Sequence, residues 1–409
     1  MNKQRSFCEK HREELSRLAA YYRQQLVGSI MPFWDSRVAD TQCGGYYNCF
    51  DRAGKLLSEE KYGWFVGRDI YMYSALYHQI EKREEWLRLA RHGVEFLKTK
   101  ALREDDRVNY RMRRDGTPID GATSIFTDHF AVKALFEYAA ASGDTSTLSL
   151  AKRMYDRLLD NLTDENVIRR ECPDPRFQKH ALNFMTLLVA MEGQRFFPEE
   201  TIPVIDRCLH ASLYTFADDR EKAPLEYVSA QGGALWEDQG RLVDPGHTME
   251  SLWFAMREGE KRGDSAVIRR ASEMVDWVID RAWDQAYGGF YQQVDAFDTV
   301  PEKRFRSNRY VDIDVGWDEK IWWVQAEALY TLALSACLTG NEHHFAMFQK
   351  LHTYCKDAFS DPVHSEWYSF LHRDGTVKSD RKGFELKGPY HVPRCTMQLA
   401  LLFERFAGK

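Results

Sequence analysis

PGHTMESLWFAMREGEKRGDSAVIRRASEMVDWVIDRAW, residues 245–283, holds two helices and almost nothing between them. Apolar residues recur at three- and four-residue spacing on both sides of Gly263, which predicts helices over 245–262 and 264–283. A link that short forces the two to run antiparallel as neighbours. The same spacing divides the whole chain into about twelve helical segments, at 3–28, 65–83, 85–102, 124–142, 145–163, 176–194, 198–217, 245–262, 264–283, 320–339, 341–359 and 393–406. After each even-numbered segment the link is very short, around Glu84, Gly143, Phe197, Gly263 and Gly340. Before each even-numbered segment it is long.

This rhythm makes a row of helical hairpins with every long loop on one face, where function concentrates. Six such pairs predict an all-α fold, a closed (α/α)6 barrel of six helical hairpins in which 1–409 form one domain, ahead of an open solenoid. Three long loops share a nine-residue stretch: YYNCFDRAG (46–54), VNYRMRRDG (108–116) and WYSFLHRDG (367–375). Each reads as an aromatic strand ending in a glycine turn, and GGFYQQVD (288–295) resembles their start. Short β-hairpins are therefore expected on one rim.

Composition removes several classes of function. With 409 residues, 44% hydrophobic and 29% charged, the chain has material for a large core and is not disordered. The net charge of -6 is spread out, and no basic block interleaves with aromatics, so nucleic acid is not an expected partner. No apolar run reaches membrane-spanning length, and the start MNKQRSFCEKHREELSR is charged and helical. A cytoplasmic protein with no membrane partner is expected. The eight cysteines lie far apart without a C-x-x-C, which argues for reduced thiols and against zinc or disulfides. Phosphate loops, dinucleotide fingerprints, HExxH and GxSxG are all missing, leaving cofactor-free acid–base chemistry with no metal.

In such a barrel the even helices begin at the loop-bearing rim, and their first turns point into its mouth. The eighth opens with Asp244 as N-cap and Pro245 as first helical residue, then His247, with Glu250 one turn on. The helix end disfavours an imidazolium and a nearby carboxylate favours it, a balance that suits a general base. The twelfth repeats the arrangement in GPYHVPRC (388–395), where His391 precedes Pro393, and Arg394 suits either substrate contact or a structural ion pair. Arg68, among aromatics in the stretch 61–74 that introduces the second helix, suits an oxyanion or sugar hydroxyls, and equally an ion pair to a loop carboxylate. In KIWWVQAEAL (320–329), Lys320, Trp323 and Glu327 are spaced to share one face, and a tryptophan beside polar groups suits a sugar ring. Asn183, in HALNFMTLL (180–188), is a candidate cavity residue.

Several blocks together, KYGWFVGRDIYMYS, RDGTPIDGATSIFTD, GRLVDPGHTMESLW, KIWWVQAEAL, SEWYSFLHRDG and GPYHVPRC, carry a resemblance to the N-acylglucosamine 2-epimerases, within a wider group that includes cellobiose 2-epimerases and mannose isomerases. The resemblance runs from about residue 44 to 395. It implies an (α/α)6 barrel and cofactor-free isomerase chemistry at C2 of a small-molecule sugar, interconverting N-acetyl-D-glucosamine and N-acetyl-D-mannosamine. It also implies His247 and His391 as the acid–base pair, Arg68 and Glu327 binding sugar or intermediate, and Glu250 orienting His247. Some members respond to ATP as an effector without consuming it, and homodimers are common among them. Where the cellobiose and mannose enzymes resemble one another in a further histidine of the sixth helix, this chain has Met185, an apolar wall suited to an acetyl methyl group. Epimerisation or aldose–ketose isomerisation of mannose, glucose or cellobiose-type sugars is the alternative. Behind it stand glycoside hydrolysis, for which Asp69, Asp128, Glu250 and Glu327 would be nominated, and sugar binding without catalysis.

Overall fold

The computed structural model describes residues 2–297 and 315–408; part of the long connection before the tenth segment, 298–314, lies outside the described residues. Twelve principal helices follow the expected order: α1 (Asn2–Gln25), α2 (Gly63–Ala75), α3 (Glu84–Phe96), α4 (Ile125–Ser142), α5 (Thr145–Asn161), α6 (His180–Gly193), α7 (Pro198–His210), α8 (Pro245–Arg262), α9 (Ser265–Ala282), α10 (Trp322–Thr339), α11 (Glu342–Tyr354) and α12 (His391–Ala407). Two short helices were not expected from the sequence: Met31–Asp35 prolongs α1 beyond a wide turn, and Glu165–Glu171 follows α5.

The even helices form the inner wall and are buried along most of their length; α4, apolar nearly all round, is buried continuously from Ile125 to Ala139 and α10 from Val324 to Cys337. They pack side by side in chain order from α2 to α12. Tyr390, at the start of α12, meets Tyr71 of α2 edge-on at 5.9 Å and closes the ring. The short links are local chemistry. Gly143 ends α4 with φ 75°, and Asp144 then accepts the N–H groups of Ser146 and Thr147 to start α5. Gly263 with Asp264, and Gly340 with Asn341, repeat this stop and start.

The rim hairpins are present. Cys49–Phe50 pairs with Leu56–Ser58, Arg111–Met112 with Pro118–Asp120, and Phe370–Leu371 with Val377–Ser379, all antiparallel. Each turn arginine reaches back to an aspartate of the preceding unit: Arg114 to Asp40, Arg373 to Asp284, and Arg52 to Asp361. A buried lysine joins each carboxylate, Lys61 at 2.9 Å, Lys320 at 3.0 Å and Lys382 at 3.0 Å. The Arg52 to Asp361 pair ties the first unit to the last. Lys320 is thereby corrected: it lies in the strand Lys320–Ile321 before α10 starts, so it fixes Asp284 and shares no helical face with Trp323 and Glu327.

All eight cysteines are free thiols, six of them buried. Among the described residues no helix is long and apolar enough to cross a membrane.

Candidate active site

The first turns of α2, α8, α10 and α12 converge with the loop that leads into α8. His247 sits at the start of α8, where Asp244 caps the helix by accepting its backbone N–H at 3.0 Å. Its ring Nδ1 faces two carboxylates, Glu226 Oε2 at 3.1 Å and Asp244 Oδ2 at 3.6 Å. Glu226 is aimed by its own backbone, whose N–H donates to Leu242 and whose carbonyl accepts from His180. Burial opposes charge on the His247 ring, but Asp244 and Glu226 together outweigh it and push its pKa up to about 9. At neutral pH His247 is an imidazolium.

His391, the first residue of α12, has the opposite surroundings. Its Nδ1–H donates to Glu327 Oε1 at 2.7 Å, which leaves Nε2 as a lone pair without a hydrogen-bond partner among the described residues. Burial, then the Arg68 and Arg394 guanidiniums, push its pKa well below the usual imidazole range. At neutral pH it is an uncharged base.

Trp323 of α10 packs against both rings, with centroids 5.3 Å from His247 and 5.7 Å from His391. Gly246 makes room for the indole, since a Cβ there would collide with its six-membered ring. Phe184 of α6 packs on His247 at 5.2 Å. Arg68 of α2 is buried and makes no hydrogen bond among the described residues, its guanidinium lying over Phe130 at 4.2 Å and Tyr390 at 4.7 Å. Burial lowers its pKa to about 10, so it stays cationic at neutral pH. A buried guanidinium with unused donors suits an oxyanion.

Glu250 does not orient His247, contrary to expectation. Its Oε1 accepts from Arg394 Nη2 at 2.5 Å, and the same nitrogen donates to Glu327 Oε1 at 2.6 Å. Glu327 Oε2 accepts from Trp253 Nε1 at 2.8 Å. The ligand atoms of Glu250, Glu327 and His391 lie close together, and the two carboxylates share the Arg394 guanidinium as their cation. Arg394 is thus an ion-pair residue of the floor, which settles its two sequence readings. Asn183 turns away from the cavity: its Nδ2 donates to the Cys208 carbonyl and Ser212 Oγ on the α7 side. Met185 is packed in the core, and Phe184 takes its expected place as the apolar neighbour of the chemistry. Glu226 and Tyr390 were missed; no local pattern links Glu226 to a histidine 21 positions on, whereas Tyr390 stood beside His391 in plain view.

Among the described residues the four nominated carboxylates do not assemble a hydrolytic pair. Glu250 and Glu327 hold one arginine, Asp128 is paired with Arg107 at 2.9 Å, and Asp69 is buried without a hydrogen-bond partner among the described residues.

The model of the family described as N-acylglucosamine 2-epimerase (GlcNAc 2-epimerase) matches residues 45–395. The N-acylglucosamine 2-epimerase of Bos taurus is 30% identical to this chain, over 90% of it and 86% of the bovine protein. The cellobiose 2-epimerase of Bacteroides fragilis is 24% identical, over 92% of this chain and 97% of its own length. In three dimensions, the cellobiose 2-epimerase structure from Spirochaeta thermophila superimposes with a TM-score of 0.79 at 18% identity, covering 97% of this chain and 98% of that one. That likeness bears out the (α/α)6 barrel. By the extent of these matches, the chain belongs to the N-acylglucosamine 2-epimerase family.

Proposed function

We propose that the protein is a sugar 2-epimerase that interconverts N-acetyl-D-glucosamine and N-acetyl-D-mannosamine by proton transfer between C2 and two histidines. The observation that carries this reading is the unlike pair of imidazoles against one indole: a neutral His391 and a protonated His247. In the ring-opened sugar, the neutral Nε2 of His391 removes the C2 proton, and the electrons move onto the C1 oxygen to give an enolate whose C2 keeps its acetamido group. Arg68 stabilises that negative oxygen. His247 then gives its Nε2 proton to C2 from the other side, which inverts the centre. The cycle ends with His391 protonated and His247 neutral, so the reverse reaction uses the same two groups with exchanged roles. Each step moves a proton between C2 and an imidazole and asks for no cofactor.

An amino sugar is favoured over a cellobiose-type substrate by the greater similarity to the bovine enzyme and by the apolar Phe184 beside His247. The test is incubation in D2O with N-acetylmannosamine, mannose and cellobiose separately, following C2 by NMR. Deuterium at C2 of the epimeric product from N-acetylmannosamine is expected. Incorporation only with mannose or cellobiose overturns the substrate, and no incorporation with any of them overturns the epimerase reading.

A further inference from the structure

Lys133 of α4 lies under the site, is 1% exposed, and takes no part in the steps above. Its Nζ is 2.9 Å from the Tyr390 hydroxyl and 3.2 Å from the centre of the Tyr71 ring. Among the described residues no carboxylate is within ion-pair distance of it. The charged and titratable groups around it are Tyr71 of α2, Glu137 of α4 itself, Glu192 of α6, Glu250 of α8, and Tyr390, His391 and Arg394 at α12.

Hydrogen-bond accounting decides its state. The Tyr390 hydroxyl accepts from Arg394 Nη1 at 2.8 Å, and a guanidinium only donates. An ammonium on Lys133 would also only donate, leaving the buried phenol proton without an acceptor among the described residues. An uncharged amine accepts that proton, and burial and the Arg394 charge both favour it. The floor is then balanced in charge, with Arg68 and Arg394 against Glu250 and Glu327.

We propose that Lys133 is a positioning residue for His391: as an uncharged amine it accepts the Tyr390 hydroxyl proton and so fixes, through Tyr390 and Arg394, the Glu327 carboxylate that holds the His391 ring. This rests on the epimerase reading. The chain of contacts is continuous, Lys133 to Tyr390, Tyr390 to Arg394, Arg394 to Glu327, and Glu327 to His391.

The experiment compares Lys133→Gln, Lys133→Met and Lys133→Arg in the full chain, with kcat, KM and the pH profile as readouts. Glutamine keeps an uncharged acceptor and should stay within about threefold of the parent kcat, whereas methionine removes the acceptor and should lower kcat by about 10- to 100-fold with KM within about twofold. Arginine forces a permanent cation into the site and should lower kcat at least as far as methionine does. Full kcat and an unchanged pH profile in Lys133→Met or Lys133→Arg would overturn the proposal. Should these variants fail to fold, the lysine Cε resonance of 13C-labelled parent protein decides: a neutral amine at pH 7 is expected, and an ammonium overturns the proposal. A parent enzyme that leaves C2 of all three sugars unlabelled in D2O sinks the epimerase reading, a result separate from any of these.

Discussion

His247 and His391 stand in equivalent positions, each in the first turn of an inner helix, yet they rest in opposite protonation states. The positive helix end acts on both and cannot distinguish them. What differs is the next neighbour. His247 meets two carboxylates, Glu226 and Asp244, with no guanidinium among its main influences. His391 meets one carboxylate, Glu327, already engaged by Arg394, with Arg68 behind the Tyr390 ring. A two-base site is thus made asymmetric by what stands one layer behind the bases.

Removing either imidazole should break the comparison outright. His391→Asn and His247→Asn are each expected to lower kcat/KM for epimerisation by at least ~10³-fold with the circular dichroism spectrum unchanged, since general acid–base groups contribute about 10² to 10⁴ and both are needed for inversion. Full activity in either variant would end the two-histidine mechanism.

Glu226→Gln sharpens the comparison by making His247 more like His391. Activity requires neutral His391 and protonated His247, so kcat/KM should rise as pH rises through the lowered pKa of His391 and fall as pH rises through about 9. Loss of the Glu226 charge moves that basic limb toward neutrality. At pH 8.5 kcat/KM should drop by about threefold for a limb moved down by about one unit, because the protonated fraction of His247 there falls from about three quarters to about one quarter. Stability follows the same sign. Because the folded pKa of His247 is raised, its contribution is fully present below the unfolded value of about 6.5 and is lost as pH rises through about 9. Thermal melts of the variant should therefore depend less on pH across that window than those of the parent.

Gly246→Ala tests what the two histidines share. The added methyl displaces the Trp323 ring that touches both, so kcat should fall by about 10-fold without movement of either pH limb. A moved basic limb would show instead that the substitution acts on His247 alone.

Much of this architecture was legible because it is local. The stops and starts at Gly143, Gly263 and Gly340 need only a left-handed residue and a capping side chain, and the turn glycines of the three rim hairpins likewise sit at φ 86°, 91° and 87°. The alternation of very short and long links imposed the hairpin ring, and Asp244, Pro245 and His247 were readable as cap, first residue and first turn. Helical spacing placed both histidines at the rim for the same reason.

Tertiary structure alone decided who partners whom. Lys320 was assigned to a helical face, but α10 begins two residues later and Asp284 claims its charge. Glu250 is one turn from His247 in sequence, yet Arg394, 144 positions away, is its partner. Asn183 was set facing the cavity, and the α7 backbone captured its amide. Spacing within a helix fixes direction only to within a face; which charges meet across the barrel depends on ring closure, because a buried charge settles on whichever opposite charge the packing brings within hydrogen-bond reach.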